Sequence, residues 1–171
     1  PPARRLDARA DGLPADLRAL LAPAVDPAAG PDAELWSNGP AWWLLPARDA
    51  ATVRRLAPDM AAIRDWTNAT ASTGVCVFAP ESAPGHALAL RAFCPGDAVN
   101  VPEDPVTGSA NALVGAWLAQ RGRLPGADGR YVASQGRELG RDGQVHVQVD
   151  AAGTVWIGGE VQPVIDGVLH W

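Results

Sequence analysis

Cysteine is scarce: Cys76 and Cys94 are the only thiols in 171 residues. Two cysteines in a chain of this size make no disulfide scaffold, and a reducing cytoplasm is the expected location. There is no basic block, and the net charge is −5 with a pI of about 5.0, which removes nucleic acid from the expected partners. No apolar run approaches the roughly 18 residues that cross a bilayer, and no signal-peptide pattern opens the chain, so no membrane partner is expected. His86, His146 and His170 stand at no metal-ligand spacing from one another or from the cysteines; they read as surface or strand-edge residues, and no metal is expected. The glycine-rich "GRELGRDG" at 136–143 follows no strand-to-helix transition, which excludes a nucleotide loop. No internal repeat is found. The chain begins Pro1-Pro2 without Met, so it is expected to be a fragment, a processed product or the ordered part of something longer.

What is present is a globular composition, 47% hydrophobic and 19% charged, with length for one domain and a real core or two very small domains. Leu17, Leu20 and Leu21 predict a short helix over Pro14–Leu21, and Asp26–Ala33 reads as a loop. "NGP" at 38–40 is turn chemistry ahead of an aromatic strand ending at Leu45. Asp49 can cap a helix over Ala50–Leu56, and Pro58 would restart it from a first-turn position. Gly74–Ala79, Ala87–Cys94, Arg130–Ser134, Val145–Val149, Thr154–Ile157, Glu160–Ile165 and Val168–Trp171 read as strands. Of the seven tryptophans, Trp42, Trp43, Trp117 and Trp156 are assigned to core, and Trp36 and Trp66 to a pocket or an interface.

One long helix is predicted over Ser109–Arg121. Ala110, Leu113, Val114, Trp117 and Leu118 form a continuous apolar stripe, Gly122 marks its end, and Thr107 or Ser109 can cap its start. Short strands on both sides of one helix give an α+β class, a sheet wrapped around that helix. The approach, "VPEDPVTGSANAL" at 101–113, supports two readings. Small polar residues before a helix are by type ordinary caps. They also suit an anion site: free N–H groups and the helix dipole attract a carboxylate, Gly108 permits close approach, Ser109 adds a hydroxyl, and Pro105 stiffens the placement of Asp104.

"EDPVTGSANALVGAWL" resembles the signature of the PhzF-like family, the phenazine-biosynthesis isomerases that share the diaminopimelate epimerase fold. "RAFCPGDAVNVPEDPVTGSA", "SQGRELGRDGQVHVQV", "VWIGGEVQPVIDGVL" and "NGPAWWLLPARDAATVRRLAPDM" are similar to further family segments, so the resemblance covers about residues 34–171, with 1–33 a lead-in or inter-lobe segment. It implies one lobe, the second, of a two-lobed fold, each lobe a curved, mostly antiparallel sheet around a helix at about 109–121. It implies cofactor-independent proton transfer on a small amino- or hydroxy-carboxylic acid, with no cofactor. In that scheme Asp104 is the catalytic acidic residue that orients substrate. Gly108 and Ser109 hold the substrate carboxylate, with Thr107 close enough to touch it. Glu103 shapes the loop, and Gln135 and Gly136 border the site. Arg91 pairs with a nearby carboxylate. No cysteine stands at 107–109, which speaks against the thiol-pair racemisation found on this fold. The acid/base glutamate and the glycine-histidine-alanine-threonine motif of the first lobe are missing, so the implied partners are a first lobe, from the same polypeptide or a second chain, and a second copy in a homodimer. The alternative is a non-catalytic, self-associating lobe that binds a carboxylate.

Overall fold

A computed structural model describes residues 2–20, 33–99, 101–126 and 128–170. In chain order the elements are β1 (Arg4–Arg5), α1 (Ala15–Leu20), β2 (Glu34–Ser37), β3 (Ala41–Pro46), α2 (Ala50–Arg55), α3 (Met60–Ala69), β4 (Gly74–Ala83), β5 (His86–Cys94), β6 (Val101–Asp104), α4 (Gly108–Gln120), β7 (Arg130–Gln135), β8 (Gly143–Val149) and β9 (Val155–Gly158). Most of the expected loop at 26–33, and Leu21 of the first predicted helix, lie outside the described residues.

Among the described residues nine strands join one sheet in the order β1-β2-β3-β4-β5-β7-β8-β9, with β6 on β5. Only β3–β4 and β5–β7 are parallel; the other pairings are antiparallel. Side chains alternate across a strand, and here both faces are covered in the middle of the sheet. Trp42, Leu44, Cys76, Phe78, Leu88, Leu90 and Ala92 pack toward α4 with Leu113, Val114 and Trp117. Their alternates Trp43, Leu45, Val75, Val77, Ala89 and Phe93 pack outward against Leu17, Val53, Ile63 and Trp66 of α1–α3. That explains the near-continuous apolar runs of β3–β5. β8 is covered on one side only, so Val145, Val147 and Val149 are buried while His146 is exposed. The α+β class, with a helix against the curved sheet, is as the sequence leads one to expect.

Local chemistry sets the helix ends. Asp49 accepts from the Thr52 amide and Asp59 from those of Ala61 and Ala62. Pro58 therefore precedes the cap of α3 instead of sitting in its first turn. α4 runs one residue earlier than predicted at both ends, and Gly122 follows it at φ +61°.

Three further expectations are corrected. Glu160–Ile165 and Val168–Trp171 are not strands over their described residues: 159–170 pair with nothing, and Val161, Val164, Ile165, Val168 and Leu169 are 80–91% exposed. Apolar alternation suits a strand, but only a partner edge satisfies its backbone, and β9 is not joined by one. Trp156 is 61% exposed because the outer face of β9 is uncovered. Trp36 and Trp66 are core instead of pocket residues: Trp36 is fully buried, and Trp66 stacks on Trp43 with centroids 4.7 Å apart. The aromatic strand after "NGP" is half of a hairpin whose other half, β2, precedes the turn.

Candidate active site

The approach to α4 begins on β6. Successive strand residues point to opposite faces, so Glu103 and Asp104 straddle the sheet. Glu103 faces outward and is buried against Arg91, whose Nε and Nη2 donate to its two carboxylate oxygens at 2.8 and 2.7 Å. The remaining guanidinium nitrogen donates to the carbonyls of Val53 and Leu56 at the end of α2. Arg91 thus has the carboxylate partner expected of it, and Glu103 is fixed as a bidentate pair. Asp104 pairs with Ala92 across β5–β6 and so lies on the α4 side. It is half-buried, and its Oδ1 accepts from the Val106 amide at 3.2 Å, closing a tight turn over Pro105.

Pro105 and Val106 rest on the ends of β7 and β8, where two glycines make room. A Cβ at Gly136 (φ +80°) would stand 2.6 Å from the Pro105 carbonyl oxygen, and one at Gly143 would stand 2.5 Å from the Val106 side chain. Behind them the 3₁₀ turn Arg137–Leu139 is tied to α2 by Arg54, which pairs with Glu138 at 3.3 Å and Glu81 at 2.6 Å. His86, at the start of β5, lies 2.8 Å from the same Glu81 carboxylate. Burial alone would raise the Glu81 pKa, but the hydrogen bonds and charges of Arg54 and His86 outweigh it and hold the carboxyl below its usual range.

Gln135, fully buried at the end of β7, occupies the centre of the site. Its Nε2 donates to the Asp104 carbonyl at 2.7 Å and to Thr107 Oγ1 at 2.9 Å. Its Oε1 accepts from the Thr107 amide at 3.0 Å and from Asn111 Nδ2 at 2.9 Å. One side-chain amide therefore uses both donors and both acceptor positions on the acidic strand and the helix start.

Thr107 occupies the N-cap position with extended backbone, yet its side chain makes no capping bond. The expected cap is thus present by position and absent by hydrogen bond, because the buried hydroxyl faces Gln135. Ser109 lies inside the first turn. Its Oγ accepts from Trp42 Nε1 at 3.1 Å, and its carbonyl accepts from Asn38 Nδ2 at 3.1 Å. An indole N–H only donates, so the Ser109 hydroxyl keeps its own proton for another acceptor. Gly108 is exposed, and a Cβ there would meet nothing within 4 Å. A groove of about 760 Å³ opens beside it, walled by Val106, Gly143, His146, Ile157 and Glu160. Of the four expected site residues only Gly108 lines this groove; Asp104, Thr107 and Ser109 stand on the strand–helix junction next to it.

Cys94 is buried at the end of β5. Burial, with the Asp104 carboxylate nearby, pushes its thiol up to about 11, and burial pushes Cys76 higher still. Both stay protonated near neutral pH, as fits core cysteines rather than nucleophiles. Asn38 and Trp42 were not singled out as site residues. They lie 71 and 67 positions from Ser109, and nothing in their local sequence signals the contact.

The chain matches the model of the phenazine biosynthesis-like protein family over residues 13–167. It is 36% identical over 130 residues to an uncharacterized isomerase of Deinococcus radiodurans, covering 75% of this chain and 39% of that one. It is also 36% identical over 110 residues to the uncharacterized isomerase YddE of Escherichia coli K12, covering 62% and 35%. Among solved structures it is similar to a predicted epimerase of Pseudomonas aeruginosa (TM-score 0.55, 28% identity, 81% of this chain and 46% of that). For a PhzF-family phenazine biosynthesis protein of Bacillus anthracis the TM-score is 0.59 at 21% identity, over 76% and 44% of the two chains, a likeness of fold. The chain spans less than half the length of each of these proteins. With most of its length under one family model, and the acidic strand, glycine-floored turn and helix start assembled as described, the chain belongs to the phenazine biosynthesis-like (PhzC-PhzF) family.

Proposed function

We propose that this chain supplies half of the active site of an isomerase or epimerase that moves a proton on a small amino- or hydroxy-carboxylic acid without a cofactor. The observation that carries the reading is the start of α4, where the threonine at the cap position makes no side-chain capping bond. Free helix N–H groups and the helix dipole favour an anion there. In this reading the Gly108 and Ser109 amides, with the Ser109 hydroxyl, hold the substrate carboxylate. Asp104 orients the amine or hydroxyl on the neighbouring carbon, and Thr107 fixes where the helix begins. The group that removes and returns the carbon-bound proton belongs to polypeptide outside this chain, in keeping with relatives of which the match covers only 39% and 35%. The apolar residues exposed from Val161 to Leu169 support docking of that further polypeptide, a first lobe, and pairing of whole molecules as a homodimer. Two free buried cysteines suit a cytoplasmic location.

The full natural polypeptide should wash deuterium from D2O into the carbon next to the carboxylate of a turned-over 2-amino or 2-hydroxy acid. Asp104→Asn should slow this by about 100-fold or more, the lower end for a lost acid/base or orienting group. Unchanged turnover would remove Asp104 from the mechanism, and absence of exchange with any such acid in the wild type would favour a non-catalytic lobe.

A further inference from the structure

We propose that Gln135 is a positioning residue whose side-chain amide holds the Thr107 hydroxyl away from α4 and so keeps the helix start open for a ligand. The inference rests on the carboxylate-cradle reading above and adds the device that keeps the cradle empty of the protein's own groups.

A threonine at an N-cap ordinarily turns its hydroxyl to accept from the second or third amide of the helix, and that bond stabilises the helix. Short hydroxyl side chains compete readily for nearby backbone donors. Thr107 has the extended backbone of a cap residue (φ −115°, ψ 98°) but makes no such bond. The structure contains the competitor: Gln135 Nε2 donates to Thr107 Oγ1 at 2.9 Å, and Gln135 Oε1 receives the Thr107 amide at 3.0 Å. The glutamine therefore grips Thr107 by side chain and backbone at once. Its orientation is fixed by further bonds, its remaining donor and acceptor positions being taken by the Asp104 carbonyl at 2.7 Å and by Asn111 Nδ2 at 2.9 Å. No part of Gln135 is exposed, so it does not touch a ligand; it acts through Thr107 and Asp104. The capped aspartates elsewhere in the chain show the alternative. Asp49 and Asp59 have no such competitor among the described residues and bond the amides of their own helices.

The test uses the full natural polypeptide and three variants, Gln135→Met, Thr107→Val and the double variant. The first readout needs no ligand: hydrogen exchange of the Ser109 and Ala110 amides. In Gln135→Met the released hydroxyl should cap the helix and slow their exchange about fivefold, the population shift a typical cap gives. In the double variant, which has no hydroxyl, exchange should return to the wild-type rate. Thr107→Val alone should leave these rates within about twofold of wild type. Faster exchange in Thr107→Val would mean that the hydroxyl already caps α4, which overturns the proposal and needs no change at Gln135. Unchanged exchange in a folded Gln135→Met, or no return in the double variant, overturns it as well.

The second readout is titration with sodium lactate, followed by the Gly108–Ala110 amide resonances. Affinity should fall about fivefold in Gln135→Met and recover in the double variant. A double variant as weak as Gln135→Met assigns the glutamine to loop support only and overturns the proposal. A wild-type protein whose amides ignore lactate, with the exchange pattern as expected, separates the two ideas: the cap is then displaced, and the carboxylate-cradle reading fails.

Discussion

The two sides of the sheet are built by different rules. The outer side carries three short helices, two of them closed by aspartate caps, over a core of Leu17, Trp43, Val53, Ile63, Trp66 and Phe93. The inner side carries one long helix without a side-chain cap. Its core includes Cys76, Cys94 and Tyr131, and the buried amides of Gln135 and Asn111 meet at its end. On the outer side polar groups close helix ends, whereas on the inner side they hold a helix end open. Glu103 and Asp104, adjacent in sequence, stand one on each face, and under the function proposed above the two faces divide stability from chemistry.

The largest effect should come from the link between the faces. Glu103→Gln leaves the Arg91 guanidinium buried without its counter-charge, and a loss of about 3–5 kcal/mol is expected in urea unfolding; a loss below about 1 kcal/mol would mean that the outer face does not support the acidic strand. Alkaline pH should separate the two cores next. Burial holds the Cys94 thiol at about 11 against an ordinary 9.0 and raises Cys76 and Tyr131 as well. Above about pH 9 the unfolded chain gives up protons that the folded chain keeps, so stability falls as pH rises through that window. The slope is at most about 1.4 kcal/mol per pH unit for each group. Cys94→Ala should flatten the pH 9–11 part of that curve. Changes among the residues of the outer core should leave its shape alone.

Gly136→Ala should cost about 1–3 kcal/mol, since alanine is strained at φ +80° and its methyl meets the Pro105 carbonyl. The same change at Gly108, which borders open space, should affect stability far less and ligand binding more. The smallest expected effect is Asp59→Ala, about 1 kcal/mol from loss of an ordinary cap, with faster exchange of the Ala61 and Ala62 amides. If that change also weakened carboxylate binding at α4, the division between faces would be wrong.

The stripe Ala110–Leu118 with Gly122 behind it was enough to locate α4 to within a residue, because helix periodicity and stop signals are local. Asp49 announced its helix for the same reason. The hairpin partner β2 was harder to see: Glu34–Ser37 is only four residues long, and pairing, not propensity, makes it a strand. The tail beyond Gly158 misled in the opposite direction. Its alternation is that of a strand, but no edge among the described residues accepts it. The motif "EDPVTGSA" pointed to Asp104, Gly108 and Ser109, and the wider resemblance to Gln135, 28 positions from Thr107, while Asn38 and Trp42 reach the same place from 71 and 67 positions away without a local signal.

The sequence by itself determined what depends on neighbours along the chain: the long apolar helix, the short helix capped by Asp49, the alternating strand β8 and the acidic, proline-stiffened approach to α4. Tertiary structure alone decided which hydrogen bonds those residues make. Thr107 is a cap residue by every local criterion, and it ceases to cap because a glutamine from a distant strand competes for its hydroxyl. A side chain holds one rotamer at a time, so a hydroxyl turned toward one partner is turned away from another, and that choice is made only when the chain has folded.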